Sequence, residues 1–227
     1  MRALLAIATL IAAAGPAGTA TGEPQPAADR TASRGLPPFE ARILPIEGSI
    51  KDRITPTSWR PGCPVPRRRL RLIRTLHVSF RGRAETGRLI VHATEVDEVK
   101  AVLRRLYNQR FPIRRMNLID RYGGSDRRSM DADNTSAFNC RFVAGTTRWS
   151  EHAYGRAMDI NPIENPYVNG THVSPEAGRP YADRSRRAKG MIHRGDVVYR
   201  AFRRRGWEWG GDWQPIKDYQ HFSANGN

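Results

Sequence analysis

Leu76, Val78 and Phe80 alternate with polar residues, the period of a strand with one buried face. The run "RLIVHA" (88–93) reads as a second strand, joined to the first through "RGRAETG" (81–87). Thr94 then stands as a helix N-cap, with Glu95 and Asp97 in the first turn. Val96, Val99, Val102, Leu103 and Leu106 share one face of that helix, and Pro112 stops it. "MNLID" (116–120) predicts a strand, 121–149 a long polar loop, and "RAMDI" (156–160) a short strand. Asp196 caps a last helix that runs through Phe202 and ends at Gly206, and "WEWGG" and "YQHFS" flank a final turn. Residues 21–60 are rich in Pro, Ala, Gly, Thr and Ser and predict a linker leading into irregular structure. Strands and helices mix without βαβ alternation or internal repeats. The expectation is one α+β domain over 61–227, a small antiparallel sheet with flanking helices.

The N-terminus adds a compartment. A positive start, an apolar run from Ala3 to Ala14, a Gly15-Pro16 break and small residues at Gly18-Thr19-Ala20 read as a signal peptide over 1–20. An uncleaved anchor is the competing reading. No later stretch is apolar enough to span a bilayer, so the expected product is secreted, with no stable membrane insertion after cleavage. In an oxidising compartment the two cysteines, Cys63 and Cys140, are expected to be bridged. The formal net charge is +16, and only four of the 38 basic residues are lysine. Such a field attracts polyanions: nucleic acid, anionic membrane surfaces or acidic wall polymers. Export argues against nucleic acid, despite the runs Arg67–Arg69 and Arg203–Arg205, and no nucleic-acid motif is present.

Six histidines offer candidate chemistry. His77 and His92 lie in predicted strands and read as ordinary strand residues. His172 and His193 lie in polar loops without an acidic partner at a telling spacing. His152 and His221 differ, being set among Gly, Trp and carboxylates in "SEHAYGRAMDINP" (150–162) and "WEWGGDWQPIKDYQHF" (207–222). Two histidines and one carboxylate suit a catalytic metal with an open fourth position. His152 and Asp159 can face one point if Gly155 turns the chain between them, with His221 supplying a third donor. Asp218 would stay off the metal and accept a proton from water. Positions three apart face opposite sides of a strict strand, so "DYQHF" must bend if Asp218 and His221 serve one site. Trp207, Trp209 and Trp213 either wall a cleft or fill a core. On spacing alone these signals are weak.

Taken together, Ser150, His152, Gly155, Ala157 and Asp159, followed by Trp207, Gly210, Gly211, Trp213, Asp218, His221 and Phe222, resemble the VanY-type zinc D-alanyl-D-alanine carboxypeptidases. That family includes L-alanyl-D-glutamate endopeptidases. "NTSAFNCR" (134–141) and "NPIENPY" (161–167) are similar to one secreted branch. The resemblance implies a Hedgehog-like α+β core, zinc held by His152, Asp159 and His221, and Asp218 as general base where many relatives carry the longer glutamate. It implies a substrate-holding arginine, assigned to Arg141 by position although the usual Tyr-Arg-Ser context is absent, and substrate contacts at Ser150, Trp207 and Trp209. The expected substrate is a peptidoglycan stem peptide containing D-amino acids, cut at its terminal D-Ala or internally, by a monomer that also meets anionic wall polymers. The alternative is a non-catalytic secreted wall or polyanion binder with a structural zinc, for which the spare Asp218 would have no use.

Overall fold

A computed structural model describes residues 35–226. The signal peptide expected over 1–20 lies outside them. Residues from Leu36 onward form one compact unit. No helix among the described residues is long and apolar enough to cross a membrane.

Strand β1 (Ala41–Pro45) is followed by helix α1 (Gly48–Ile54), and then by the long strands β2 (Leu70–Val78) and β3 (Ala84–His92). These form an antiparallel sheet in the order β1-β2-β3, with Ala41 opposite Thr75 and Leu70 opposite His92. The segment expected to be irregular through residue 60 therefore supplies an edge strand and a helix. Five residues of "ARILP" are too few to show a period, and partner pairing makes them a strand. The β2–β3 turn is tighter than expected: Ser79 N donates to Arg83 O, and Phe80 lies in the turn.

The sheet is covered on both faces, which explains why β2 does not alternate cleanly. Leu70, Leu72 and Ile90 face a core with Ile54, Leu118 and Phe138. Ile73, Leu89 and Val91 face the larger core, built with helix α2 (Val96–Asn108). Val99, Val102, Leu103 and Leu106 of α2 are all buried, each contributing about 2 kcal/mol relative to exposure. A short helical turn at Ala93–Glu95 precedes α2, so Thr94 is not its cap. The His92 ring accepts from Thr94 N instead.

The expected strand over 116–120 shrinks to β4 (Arg115–Met116), parallel to β5 (Asn134–Thr135). The loop over 121–149 contains α3 (Asp126–Asp131) and that strand. Helix α4 (Glu151–Tyr154) and strand β6 (Ala157–Asp159) come next, then the hairpin β7 (Tyr167–Asn169) and β8 (His172–Ser174). Helix α5 (Val197–Arg203) begins at Asp196, whose Oδ1 accepts from Tyr199 N at 2.9 Å, as the sequence predicts. The chain closes with β9 (Glu208–Trp209), β10 (Lys217–Asp218) and β11 (His221–Ser223). β11 lies between β6 and β9, whereas β10 joins the β7–β8 hairpin. The C-terminal strip thus passes from one small sheet to another within a few residues. Cys63 and Cys140 form a disulfide.

Candidate active site

Strand pairing assembles the centre of the site. His221 of β11 stands directly opposite Asp159 of β6, so both side chains leave the same face. His221 Nδ1 lies 3.0 Å from Asp159 Oδ1. His152 arrives from α4, with Nε2 at 3.1 Å from Asp159 Oδ2 and 3.2 Å from His221 Nδ1. All three residues are buried.

Local chemistry aims His152. Ser150 caps α4, its Oγ accepting from His152 N at 3.3 Å. Gly155 ends the helix at φ +69°, and a Cβ there would sit 2.6 Å from His92 N of β3. The close approach is used, since His92 N donates to Gly155 O at 2.9 Å. The His152 ring is fixed from behind, with Nδ1 donating to Ala137 O at 2.5 Å. Its proton is therefore on Nδ1, and Nε2 turns a lone pair inward. Downstream of β6, Asn161 is fully buried and adopts a left-handed φ of 45°. Its side chain bonds Pro112 O, Gly190 O and Arg114 N, pinning the end of the strand that carries Asp159.

Two imidazole nitrogens and a carboxylate, converging within hydrogen-bond distance, are electron-pair donors that repel unless a proton or a cation lies among them. Burial opposes the charge on Asp159, and the two imidazoles outweigh that penalty and hold its carboxyl far below the usual range. This donor set fits a metal ion, and His152, Asp159 and His221 could hold one.

The group lies in a cleft of ≈460 Å³ with Asp218, Arg141, Ser150 and Trp213 among its lining residues. Asp218 belongs to β10, not β11, and pairs with Tyr167. The change of sheet at Tyr219–Gln220 is the bend that "DYQHF" requires, and it lets Asp218 and His221 serve one cleft. Burial pushes the Asp218 carboxyl up to about 7; His221 pulls against that and Asp159 adds to it. Its Oδ1 is buried and has no hydrogen-bond partner.

Arg141 also lines the cleft, its Nη2 2.9 Å from Asp126 Oδ2. Ser150 reaches the cleft while its hydroxyl serves as the helix cap. Trp207 and Trp209 do not line this cleft. Both are buried in the larger core, where apolar burial outweighs a place at the rim, and Trp207 packs on Phe202. Trp209 braces the site from behind, its Nε1 donating to Tyr219 O at 2.9 Å between Asp218 and His221. The glycines after it permit close packing: a Cβ on Gly210 would lie 2.6 Å from Asp218 O, and one on Gly211 2.4 Å from the Trp209 ring. Trp213 takes the rim position, its ring centroid 5.3 Å from that of His221. His77 and His92 stay outside the cleft. His172 lines it from β8, and Asp126, Glu151 and Gln220 do so too. Asp126 and His172 fall in stretches that read as polar loops, and Glu151 and Gln220 only adjoin motif residues, so none had a spacing of its own to mark it.

Residues 144–224 match the family model described as D-alanyl-D-alanine carboxypeptidase. No curated protein and no solved structure matches the chain. The matched segment carries His152, Asp159, Asp218 and His221, and over these residues the chain is similar to the D-alanyl-D-alanine carboxypeptidase family of peptidases.

Proposed function

We propose that this chain is a secreted zinc-dependent peptidase that hydrolyses peptidoglycan stem peptides containing D-amino acids. One observation carries the reading: His152, Asp159 and His221 converge in an open cleft beside a second carboxylate, Asp218, that is not part of the converging group. A structural zinc site is closed by four protein ligands, whereas a catalytic one keeps a position open. The disulfide fits an extracytoplasmic setting. In this reading the catalytic unit includes β1 and α1 and starts near Leu36.

His152, Asp159 and His221 would hold the zinc, which when bound supplies Lewis acidity and lowers the pKa of water. Asp218 takes the proton of the attacking water and returns it to the leaving amine. A carboxyl lifted by burial is a better proton acceptor than an exposed aspartate, and a nearby cation keeps it ionised at neutral pH. Arg141 hydrogen-bonds the substrate from the cleft wall. Trp213 shields the His221 side of the cleft from water. The test is metal analysis of the purified protein, followed by incubation with muropeptides and identification of the products by mass. About one zinc per chain and new stem-peptide fragments are expected; folded protein that carries no metal and releases no fragments would sink the reading.

A further inference from the structure

The cleft contains two guanidinium groups, from Arg141 and Arg148, and they stand in different electrostatic settings. Arg148 is exposed on the strip 142–149, which folds back so that Phe142 pairs with Trp149, and its side chain makes no ion pair among the described residues. Arg141 is half-buried and held on several sides. Its backbone N donates to Asn139 O at 2.9 Å, and its carbonyl accepts from Ser150 N, at the foot of the helix that carries His152. Its Nη2 contacts Asp126 Oδ2 at 2.9 Å, with both side chains 27% exposed. Nη1 reaches Phe142 O at 3.4 Å, and the buried Nε has no partner.

We propose that Asp126 is a positioning and specificity residue: it fixes Arg141 at the cleft wall and cancels much of its charge, so that the guanidinium takes an uncharged peptide carbonyl in preference to a free terminal carboxylate. The inference rests on the peptidase reading above and names which peptides that site accepts. Bidentate capture of a carboxylate needs two parallel N–H bonds from the guanidinium fork. Asp126 already occupies one arm. A substrate carboxylate must displace Asp126 or lie beside it, and like charges at that distance repel. Glu151 adds negative charge to the same cleft. A neutral carbonyl needs only one free N–H and meets no such opposition. The arrangement therefore favours cleavage of bonds whose flanking groups are amides, as in an internal or cross-linked stem peptide.

The test uses one stem pentapeptide in two forms, with a C-terminal carboxylate and with a carboxamide. The ratio of kcat/KM for carboxylate over carboxamide is measured for zinc-loaded wild type, Asp126→Asn, Asp126→Glu and Arg141→Gln. Calorimetric binding of both peptides to metal-free protein gives the same ratio without hydrolysis. Asp126→Asn keeps the side-chain size, frees the Arg141 charge and should raise the ratio about tenfold, the scale of one charge-assisted hydrogen bond. Asp126→Glu keeps the charge and should restore the wild-type ratio to within about threefold. Arg141→Gln leaves Asp126 unpaired and should lower the ratio, so the two ends of the pair move it in opposite directions. Any general effect on Asp218 cancels, because it acts on both peptides alike. A ratio unmoved in Asp126→Asn, or moved the same way in Arg141→Gln, overturns the inference, as does a ratio that follows Arg148→Gln instead. Wild type that binds both peptides but hydrolyses neither overturns the peptidase reading, while the binding ratios still decide the role of Asp126. Binding of neither peptide overturns both.

Discussion

Asp218 and His221 are three positions apart, and the proposed peptidase reading gives them separable roles. Asp218→Asn is nearly isosteric and should keep zinc while losing roughly 10²–10⁴-fold in kcat, the range of general-base catalysis. His221→Ala should lose zinc itself, because it removes one of three converging donors. Metal content and turnover measured on both variants check the division; loss of zinc from Asp218→Asn would make Asp218 a ligand. A second residue-scale prediction concerns Glu164, which is 1% exposed and lies 2.8 Å from Arg114. Burial, with Asp133 adding to it and Arg114 opposing, lifts its carboxyl from 4.5 to about 7. The folded protein then holds that proton more tightly than the unfolded chain, so stability falls as pH rises from 4.5 towards 7. Glu164→Gln should flatten that fall in thermal melts of the metal-free protein; an unchanged slope refutes it. At this scale His152, Asp159, Asp218 and His221 were legible because a motif groups them. Asp126 of α3 and Arg141 come together only in the tertiary fold, which no spacing encodes.

At the scale of elements, α4 shows how a four-residue helix too short to be independently stable can still fix the position of one side chain, His152. Its ends are fixed by the Ser150 cap and by Gly155 against β3. Gly155→Ala forces a positive φ on a residue with a Cβ and drives that atom into backbone. It should cost at least about 2 kcal/mol and weaken zinc binding together with stability. Denaturant unfolding with metal titration checks this, and a well-folded variant with normal zinc affinity would contradict it. The amphipathic α2 and the Asp196-capped α5 were readable from period and cap. β1 was not, because its five residues become a strand only by pairing along β2. The split of the C-terminal strip between two sheets was readable only as a conflict, since strand geometry and a shared site demanded a bend.

Across the whole molecule, the Cys63–Cys140 bridge ties the loop leading into β2 to the segment just before Arg141, over a separation of 77 residues. Reduction should cost about 4 kcal/mol in the chain-entropy account, read as a lower denaturant midpoint with reductant present; an unchanged midpoint removes the bridge from the stability argument. The +16 charge acts at longer range. Retention on anionic wall polymers should fall steeply as salt rises from about 0.05 to about 0.5 M, while hydrolysis of small soluble peptides changes little. Retention that ignores salt would rule out the charge as its cause. The passage of the chain between sheets at Tyr219–Gln220 also limits how this protein can vary. Surface connections ordinarily absorb inserted residues. This one is a gauge, because Asp218 is anchored to Tyr167 on one side and His221 to Asp159 on the other. Substitutions between them leave the anchors in place, whereas one added residue must push a strand out of register and turn its functional side chain to the opposite face. The number of residues between Asp218 and His221 is therefore held by both pairings at once.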